Sequence, residues 1–268
     1  MLEKIVKEAE QIAIDAGQWL VNNRYRMEAV HYKRNHLDVV TNIDQQNEAR
    51  ITERIKAAFP DHQIISEESQ FGHTNYSSLD EDYYCWIVDP LDGTVNYVHD
   101  FTYYCVSIGV AKKGKLVAGV VYDPNRKELF SAVQGKGAYL NGKRIRVSER
   151  SIKQSVGHTG YTAADWSTDS PLRFEFSKCY ARLRNIKIAG SAGLDLAYTA
   201  CGRIDAFWQR SLSPWDIAAG ILLVSEAGGR ITDFSGQAFD LQQGNIVATN
   251  QVIHEKITEL LMGGTRDA

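Results

Sequence analysis

Apolar residues recur at three- and four-residue intervals from Glu3 to Asn22, through Ile5, Val6, Ala9, Ile12, Ala13, Ala16 and Leu20. That stripe predicts an amphipathic helix as the first element. A second helix is expected from near Asn42 to Phe59, where Ile43, Asn47, Ile51 and Ile55 repeat at helical spacing and Pro60 ends the pattern. Asp44 falls in its first turn, and a basic, irregular stretch around Lys33-Arg34-Asn35-His36 separates the two helices. Beyond Pro60 the pattern shortens to β-rich runs at Gln63 to Ile65, Tyr83 to Val88, Cys105 to Ala111 and Leu116 to Tyr122, with a hairpin signal at Lys112-Lys113-Gly114-Lys115. Glu128 to Val133 and Tyr139 to Val147 add strands, the latter around an Asn141-Gly142 turn, so this block reads as an antiparallel sheet.

The second half returns to mixed periodicity. Helices are expected near Phe174 to Leu183, Ala192 to Thr199, Asp216 to Glu226 and Val252 to Met262, and strands at Asn185 to Ile188, Ile204 to Trp208 and Ile246 to Thr249. Gly228-Gly229 supplies the glycine stop of the third of these helices. Helices and sheets in alternating segments indicate stacked α and β layers. With no repeat, low-complexity tract or linker, a boundary near 140–155 would join two tightly packed halves, 1–150 and 151–268, in one catalytic unit.

Composition narrows the function classes. Thirty Lys and Arg against 33 Asp and Glu give a formal charge of −3, and 44% of the 268 residues are hydrophobic, as in an ordinary globular chain. No basic surplus or Lys/Arg block points to nucleic acid, so the expected partner is a small molecule. The four cysteines, Cys85, Cys105, Cys179 and Cys201, form no Cys-x-x-Cys pair and suggest a reduced, cytoplasmic setting. No stretch approaches the roughly 18 apolar residues of a membrane span.

The acids carry the chemistry. In Trp86-Ile87-Val88-Asp89-Pro90-Leu91-Asp92-Gly93-Thr94-Val95-Asn96-Tyr97 an apolar strand runs into two carboxylates three residues apart, at the carboxyl end where layered α/β proteins place their sites. Pro90 fixes one φ and Gly93 permits a sharp exit, so the carboxylates and the Leu91 carbonyl can converge as the hard oxygens Mg²⁺ requires. Thr94 then opens a segment whose free N–H groups could accept phosphate. A surface β-turn is the plain alternative for Asp-Pro-Leu-Asp-Gly. Ser66-Glu67-Glu68-Ser69 again puts acids after a short apolar run, although a solvated loop pair would look the same. Asp216, in Trp215-Asp216-Ile217-Ala218-Ala219-Gly220, and Asp44, in Thr41-Asn42-Ile43-Asp44, open helices and could be helix caps, as could Thr94.

In combination these segments resemble the inositol monophosphatase family. Asp89 to Tyr97 resembles its first signature and Trp215 to Gly220 its second, while Ser66 to Ser69 and Thr41 to Asp44 match its two upstream acidic motifs in the same order. The resemblance implies an alternating α-β-α-β-α sandwich that holds two or three Mg²⁺ and hydrolyses phosphate monoesters, above all inositol 1-phosphate. By this resemblance Glu67, Asp89 and the Leu91 carbonyl would hold one ion, and Asp89, Asp92 and Asp216 a second. A third, weaker ion would use Glu67 and water, and Asp44 with Thr94 would orient and deprotonate the attacking water. Gly93 and Thr94 would meet the phosphate, while Gly190, Ser191, Ala192, residue 209 and the adjacent Arg210 would line the alcohol side. A homodimer and lithium sensitivity are further implications.

The sequence departs from the pattern at one point. Inositol-preferring members commonly carry Glu seven residues before the second-motif Asp, and this chain has Gln209 followed by Arg210. An added cation could favour a second phosphate, as in fructose 1,6-bisphosphate or NADP, so a broader-specificity phosphatase is the nearest rival. A regulatory binding role, as some bacterial members have with transcription machinery, is a rival of another class. The seven histidines, His31, His36, His62, His73, His99, His158 and His254, show no zinc spacing and read as surface residues. Tyr97, Phe101, Tyr103 and Tyr104 read as packing.

Overall fold

A computed structural model describes residues 1–28, 30–32, 39–69, 76, 79, 81–161 and 170–262, the side chains of 30–32 excepted. The basic stretch at 33–36 and His73 lie outside the described residues. The amphipathic stripe forms α1 (Leu2–Asn23), and a short antiparallel pair, β1 (Val30–Tyr32) and β2 (Val39–Thr41), leads into α2 (Asn42–Ala58). Then follow β3 (Gln63–Ser66), β4 (Tyr84–Asp92), the short helix α3 (Thr94–Val98), β5 (Cys105–Lys112), β6 (Lys115–Asp123), β7 (Glu128–Val133), β8 (Gly137–Leu140) and β9 (Lys143–Ile145). The second half runs β10 (Val156–Thr159), α4 (Pro171–Tyr180), β11 (Asn185–Ile188), α5 (Ala192–Ala200), β12 (Ala206–Gln209), α6 (Pro214–Glu226), β13 (Arg230–Thr232), β14 (Ile246–Thr249) and α7 (His254–Met262).

Two sheets result. The larger has the order β3-β4-β5-β6-β7-β8-β9, and the smaller β11-β10-β12-β14-β13. Alternation along the strands sorts the core into layers. Trp86, Val88, Val106, Ile108, Val110, Ala118 and Val120 face α1 and α2, where they meet Ile5, Ile12, Leu20, Ile43 and Ile51. The other face meets α5 and α6, which in turn press Leu194, Leu196, Ile217 and Leu223 toward Phe207, Ile246 and Ala248 of the smaller sheet. Ala206, Trp208 and Val247 point to the far side, against Cys179 of α4 and Ile257 and Leu261 of α7. The order is therefore α1/α2, large sheet, α5/α6, small sheet, α4/α7, the expected α-β-α-β-α sandwich. Among the described residues no helix is long and apolar enough to cross a membrane.

The structure departs from the pattern-based reading in strand pairing and in strands that reading did not give, β1, β2, β10 and β13. The large sheet is not wholly antiparallel, because β3 pairs parallel to β4, and parallel pairing leaves no hairpin signal to read. The run Tyr139 to Val147 does follow the reading, with two strands flanking the Asn141-Gly142 turn, both turn residues having positive φ. The strand β10 lacks an apolar alternation: its Gly157 sits under the Trp208 ring, where a Cβ would come within 2.7 Å.

Contact between α6 and the large sheet depends on two small positions. A Cβ on Gly109 would lie 2.7 Å from that of Ala218, and one on Gly119 would lie 2.7 Å from the Ala219 carbonyl oxygen. Gly119→Val is expected to force α6 off the sheet and to destabilise the protein by about 1–3 kcal/mol. A urea midpoint unchanged from wild type would contradict that close approach.

Candidate functional site

The β4 terminus places the first two acids. In a regular strand residues three apart point to opposite faces. Here Asp89 pairs with Ser107 and Asp92 with Cys105, so three steps on β4 oppose two on β5, and a bulge at Pro90-Leu91 absorbs the extra residue. Both carboxylates consequently face the α5/α6 layer. Pro90, which has no N–H to give a ladder, occupies the bulge. Gly93 ends the strand at φ 99°, where a Cβ would meet the Tyr103 carbonyl oxygen at 3.0 Å. The parallel partner supplies the next acid: Ser66 aligns with Val88, and the Glu67 N–H donates to the Val88 carbonyl at 3.2 Å, bringing Glu67 beside Asp89.

Three helix starts complete the arrangement. At α2, Thr41 and Asp44 form a capping box in which Asp44 Oδ2 accepts from the Thr41 N–H at 2.9 Å, while Asp44 Oδ1 accepts from Thr94 Oγ1 at 2.9 Å. At α6, Ser213 and Asp216 form a second capping box, with the Ser213 N–H donating to Asp216 Oδ2 at 2.7 Å. Both acids are thus the third residue of their helices, not the cap itself. Thr94 is likewise inside α3, with Gly93 as the cap, and its Oγ1 also lies 3.2 Å from the Leu91 carbonyl oxygen. At α5, the Ser191 hydroxyl (2.6 Å) and the Gly193 N–H (2.7 Å) both donate to Asp92 Oδ2. Gly193 was not among the expected site residues, and Ser191 was expected only against the alcohol.

Burial and crowding set the electrostatics. Burial pushes the Asp89 carboxyl well above its ordinary range, the nearby charges of Glu67, Asp92 and Asp216 push it further, and the Leu91 N–H, 2.9 Å from Oδ1, opposes them. Burial also raises Asp92, to about 6, against the lowering effect of Ser191 and Gly193. Among the described residues no three acidic, histidine or cysteine side chains meet at one point. The acids are neighbours, with Asp44, Asp89, Asp92 and Asp216 each turned partly toward a donor of the protein. This all-oxygen set of carboxylates and one carbonyl suits a hard divalent cation, which would remove the repulsion that now raises Asp89.

The residues expected on the alcohol side come with the smaller sheet and the turn that enters α5. Gly190 is exposed, Ala192 is buried, and Asn96 Nδ2 ties α3 to this edge through the Ala189 carbonyl at 2.8 Å. Gln209, on the α5/α6 face of β12, lies over Gly160, where a Cβ would be 2.2 Å from its Oε1. Arg210 turns to the opposite face: its guanidinium donates to buried Glu175 at 2.7 Å and stacks 3.7 Å from the Phe234 ring centroid. An additional cation facing the pocket is therefore not what this structure shows. Sequence reasoning also missed His158, which is buried with Nδ1 2.6 Å from Asp195 Oδ1, an oxygen that also accepts from Tyr103 Oη at 2.6 Å. His254 is buried too, between the Thr232 and Thr249 hydroxyls, while His99 is exposed. Tyr97, Tyr103 and Tyr104 are packed as expected, and Phe101 is 56% exposed.

Comparison with known proteins adds independent findings. Residues 1–265 match the model described as the inositol monophosphatase family. The Pseudomonas aeruginosa protein named Nus factor SuhB is 39% identical over 253 residues, covering 93% of this chain and 92% of its own. A Thermotoga maritima fructose-1,6-bisphosphatase/inositol-1-monophosphatase is 37% identical over 246 residues, 91% of either chain. The solved inositol monophosphatase of Anabaena (Nostoc) superposes with a TM-score of 0.86 at 37% identity, over 98% of this chain and 96% of its own. An inositol monophosphatase/NADP phosphatase solved with NADP and Ca²⁺ gives a TM-score of 0.85 at 26% identity, covering 97% and 95%. The staphylococcal inositol monophosphatase-1 soaked in LiCl gives 0.85 at 25% identity, over 97% and 95% of the two chains.

The raised Asp92 carboxyl fixes the sign of a pH effect. A group near 6 when folded and 3.8 when unfolded binds its proton more tightly in the folded state. Its contribution to stability is full below the unfolded value and is lost as pH rises through about 6. Asp92→Asn keeps an acceptor for Ser191 and Gly193 but removes the charge. In chelator, the variant is expected to gain on wild type by ~1–3 kcal/mol between pH 4 and pH 7, read by urea unfolding. A difference that does not change with pH would contradict the shift.

Proposed function

Given that this chain belongs to the inositol monophosphatase family and is a phosphatase, we propose that it hydrolyses a polyol phosphate monoester, foremost inositol 1-phosphate, with the help of Mg²⁺. The observation that carries this reading is the placing of Glu67, Asp92 and Asp216 near enough to buried Asp89 for their charges to act on it, beside the hydrogen-bonded Thr94–Asp44 pair. Glu67, Asp89 and the Leu91 carbonyl would hold one ion, and Asp89, Asp92 and Asp216 a second; a third, using Glu67 and water, completes the proposed set. Such ions neutralise the phosphate dianion and make water acidic enough to attack near neutral pH.

The chain's own groups then have defined tasks. Thr94 Oγ1 spends its proton on Asp44 Oδ1 and so presents lone pairs to the attacking water. As the water's proton passes to Oγ1, the hydroxyl proton moves to Asp44, whose other oxygen stays held by the Thr41 backbone. The Gly93 and Thr94 N–H groups are assigned to the phosphate. Gly190, Ser191, Ala192 and Gln209 are assigned to the alcohol, where Gln209 offers a carbonyl acceptor and no charge. Arg210 is committed to Glu175 and is not assigned a second phosphate.

We further place the protein in the cytoplasm as a homodimer inhibited by lithium. The free state of all four cysteines supports the compartment, and the LiCl complex of a structural relative supports the inhibition. A regulatory role is the second reading, favoured by the likeness to a protein named Nus factor SuhB. Phosphate release from inositol 1-phosphate, glycerol 2-phosphate, fructose 1,6-bisphosphate and NADP decides between them. Mg²⁺-dependent turnover is expected, lost in Asp89→Asn and lowered about 10²- to 10⁴-fold in Thr94→Ala. Folded, Mg²⁺-loaded protein that turns over none of these substrates would overturn the enzymatic reading in favour of the regulatory one.

A further inference from the structure

We propose that Glu48 is a positioning residue that holds Glu67 in place to receive its cation. The inference rests on the assignment of Glu67 as a metal ligand. Glu48 is 7% exposed, so its carboxylate is not left to solvent. Its carboxylate instead grips the turn that carries Glu67: Oε2 accepts from the Glu68 N–H at 2.7 Å, and Oε1 accepts from the Ser69 N–H at 3.0 Å. Both oxygens are thereby engaged by consecutive backbone donors directly after Glu67. On its other side, Glu67 is tied to the Val88 carbonyl through its own N–H. The turn is pinned from both sides and its carboxylate is left at the edge where β4 ends.

The placement on α2 gives the contact its meaning. Residues 44, 47 and 48 stand at i, i+3 and i+4, on one helix face. Asp44 accepts from Thr94, and Asn47 Nδ2 donates to the Pro90 carbonyl at 2.8 Å, holding the bulge between Asp89 and Asp92. Glu48 holds the third segment. One rigid helix face thus fixes the three chain segments that bring Thr94, the Asp89–Asp92 bulge and Glu67 together. A carboxylate is required at 48 for a simple reason: two N–H donors need two acceptors. Gln would turn an NH₂ group toward one of them, and Asp would fall one methylene short.

The test uses the full-length protein with Glu48→Gln, Glu67→Gln and the double variant. Mg²⁺ binding is titrated calorimetrically, amide exchange is measured at Glu68 and Ser69, and turnover is measured against Mg²⁺ concentration. Glu48→Gln is expected to weaken Mg²⁺ binding about 10- to 100-fold, with kcat recovering at saturating Mg²⁺. Exchange at the two amides should rise while that of β4 stays unchanged. In the Glu67→Gln background, Glu48→Gln should add less than about twofold, because it acts through Glu67. Unchanged Mg²⁺ binding in Glu48→Gln, or independent effects in the double variant, would overturn the proposal while Glu67→Gln still weakens Mg²⁺. Mg²⁺ binding unaffected in Glu67→Gln would overturn the metal assignment of Glu67, and the role of Glu48 with it. If Glu48→Gln does not fold, Glu48→Asp takes its place with the same expected direction.

Discussion

Buried carboxylates repel one another, and the structure is arranged around that repulsion. A pair of like charges 4 Å apart costs on the order of 4 kcal/mol even at an intermediate dielectric. The chain nevertheless brings Asp89, Glu67, Asp92 and Asp216 to one strand end, where burial first and these neighbouring charges in addition raise the Asp89 carboxyl. What makes the cluster tolerable is that each acid for which a contact is resolved meets an N–H or O–H of the protein. Asp92 has Ser191 and Gly193, Asp216 has the Ser213 N–H, Asp44 has Thr41, and Asp89 has the Leu91 N–H. Those donors fix the carboxylates short of a common point, and a cation would complete what they begin.

Most of the donors belong to helix starts. The first turns of α2, α5 and α6 all point at the same edge, and the partial positive charge at each favours a carboxylate there. Two of these helices use the same residue as capping-box partner and as site acid, so Asp44 and Asp216 stabilise their helices and face the site at once. A cap explains why an acid stands at either position, but it does not exclude a second task. The three helices come from different layers: α2 covers the outer face of the large sheet, while α5 and α6 lie between the sheets. The site therefore exists only once the layers have docked.

The sequence made the layers and the acids legible for different reasons. Periodicity revealed α1 and α2 because each buries a stripe, α6 showed as an apolar, Ala-rich run before a glycine stop, and the Asp-Pro-Leu-Asp-Gly string stood out because Pro90 and Gly93 punctuate an apolar strand. What stayed hidden was pairing. Nothing local to Gln63–Ser66 says that this strand runs parallel to β4, yet only that direction sets Glu67 beside Asp89. The bulge that turns Asp92 onto the face of Asp89 is a property of two strands, not of one. His158 and Glu48 escaped for the same reason: a buried polar residue is recognised by its partners, and Asp195, Glu68 and Ser69 are 37, 20 and 21 residues away. Arg210 shows the converse. Its charge was visible in the sequence, but its engagement with Glu175, 35 residues away, was not.

On the proposed assignment, the layout would also separate the chemistry from the choice of alcohol. The acids, Thr94 and the Asn47 and Glu48 contacts belong to the large sheet and to helices packed on it. Gln209 and Gly160 belong to the smaller sheet and the segment that leaves β10. The close fit between them means that any side chain at 160 would displace the Gln209 carboxamide, since even a Cβ would come within 2.2 Å of its oxygen. A substitution at either position would thus alter the contact between Gln209 and Gly160, apart from the carboxylates and their hydrogen-bond donors. Arg210 lies outside that pair because alternation along β12 sends it to the α4 side, where Glu175 neutralises it. On the proposed assignment, the side chain at 209 and not Arg210 would meet the alcohol, and the uncharged Gln there would recognise hydroxyls by hydrogen bonding alone.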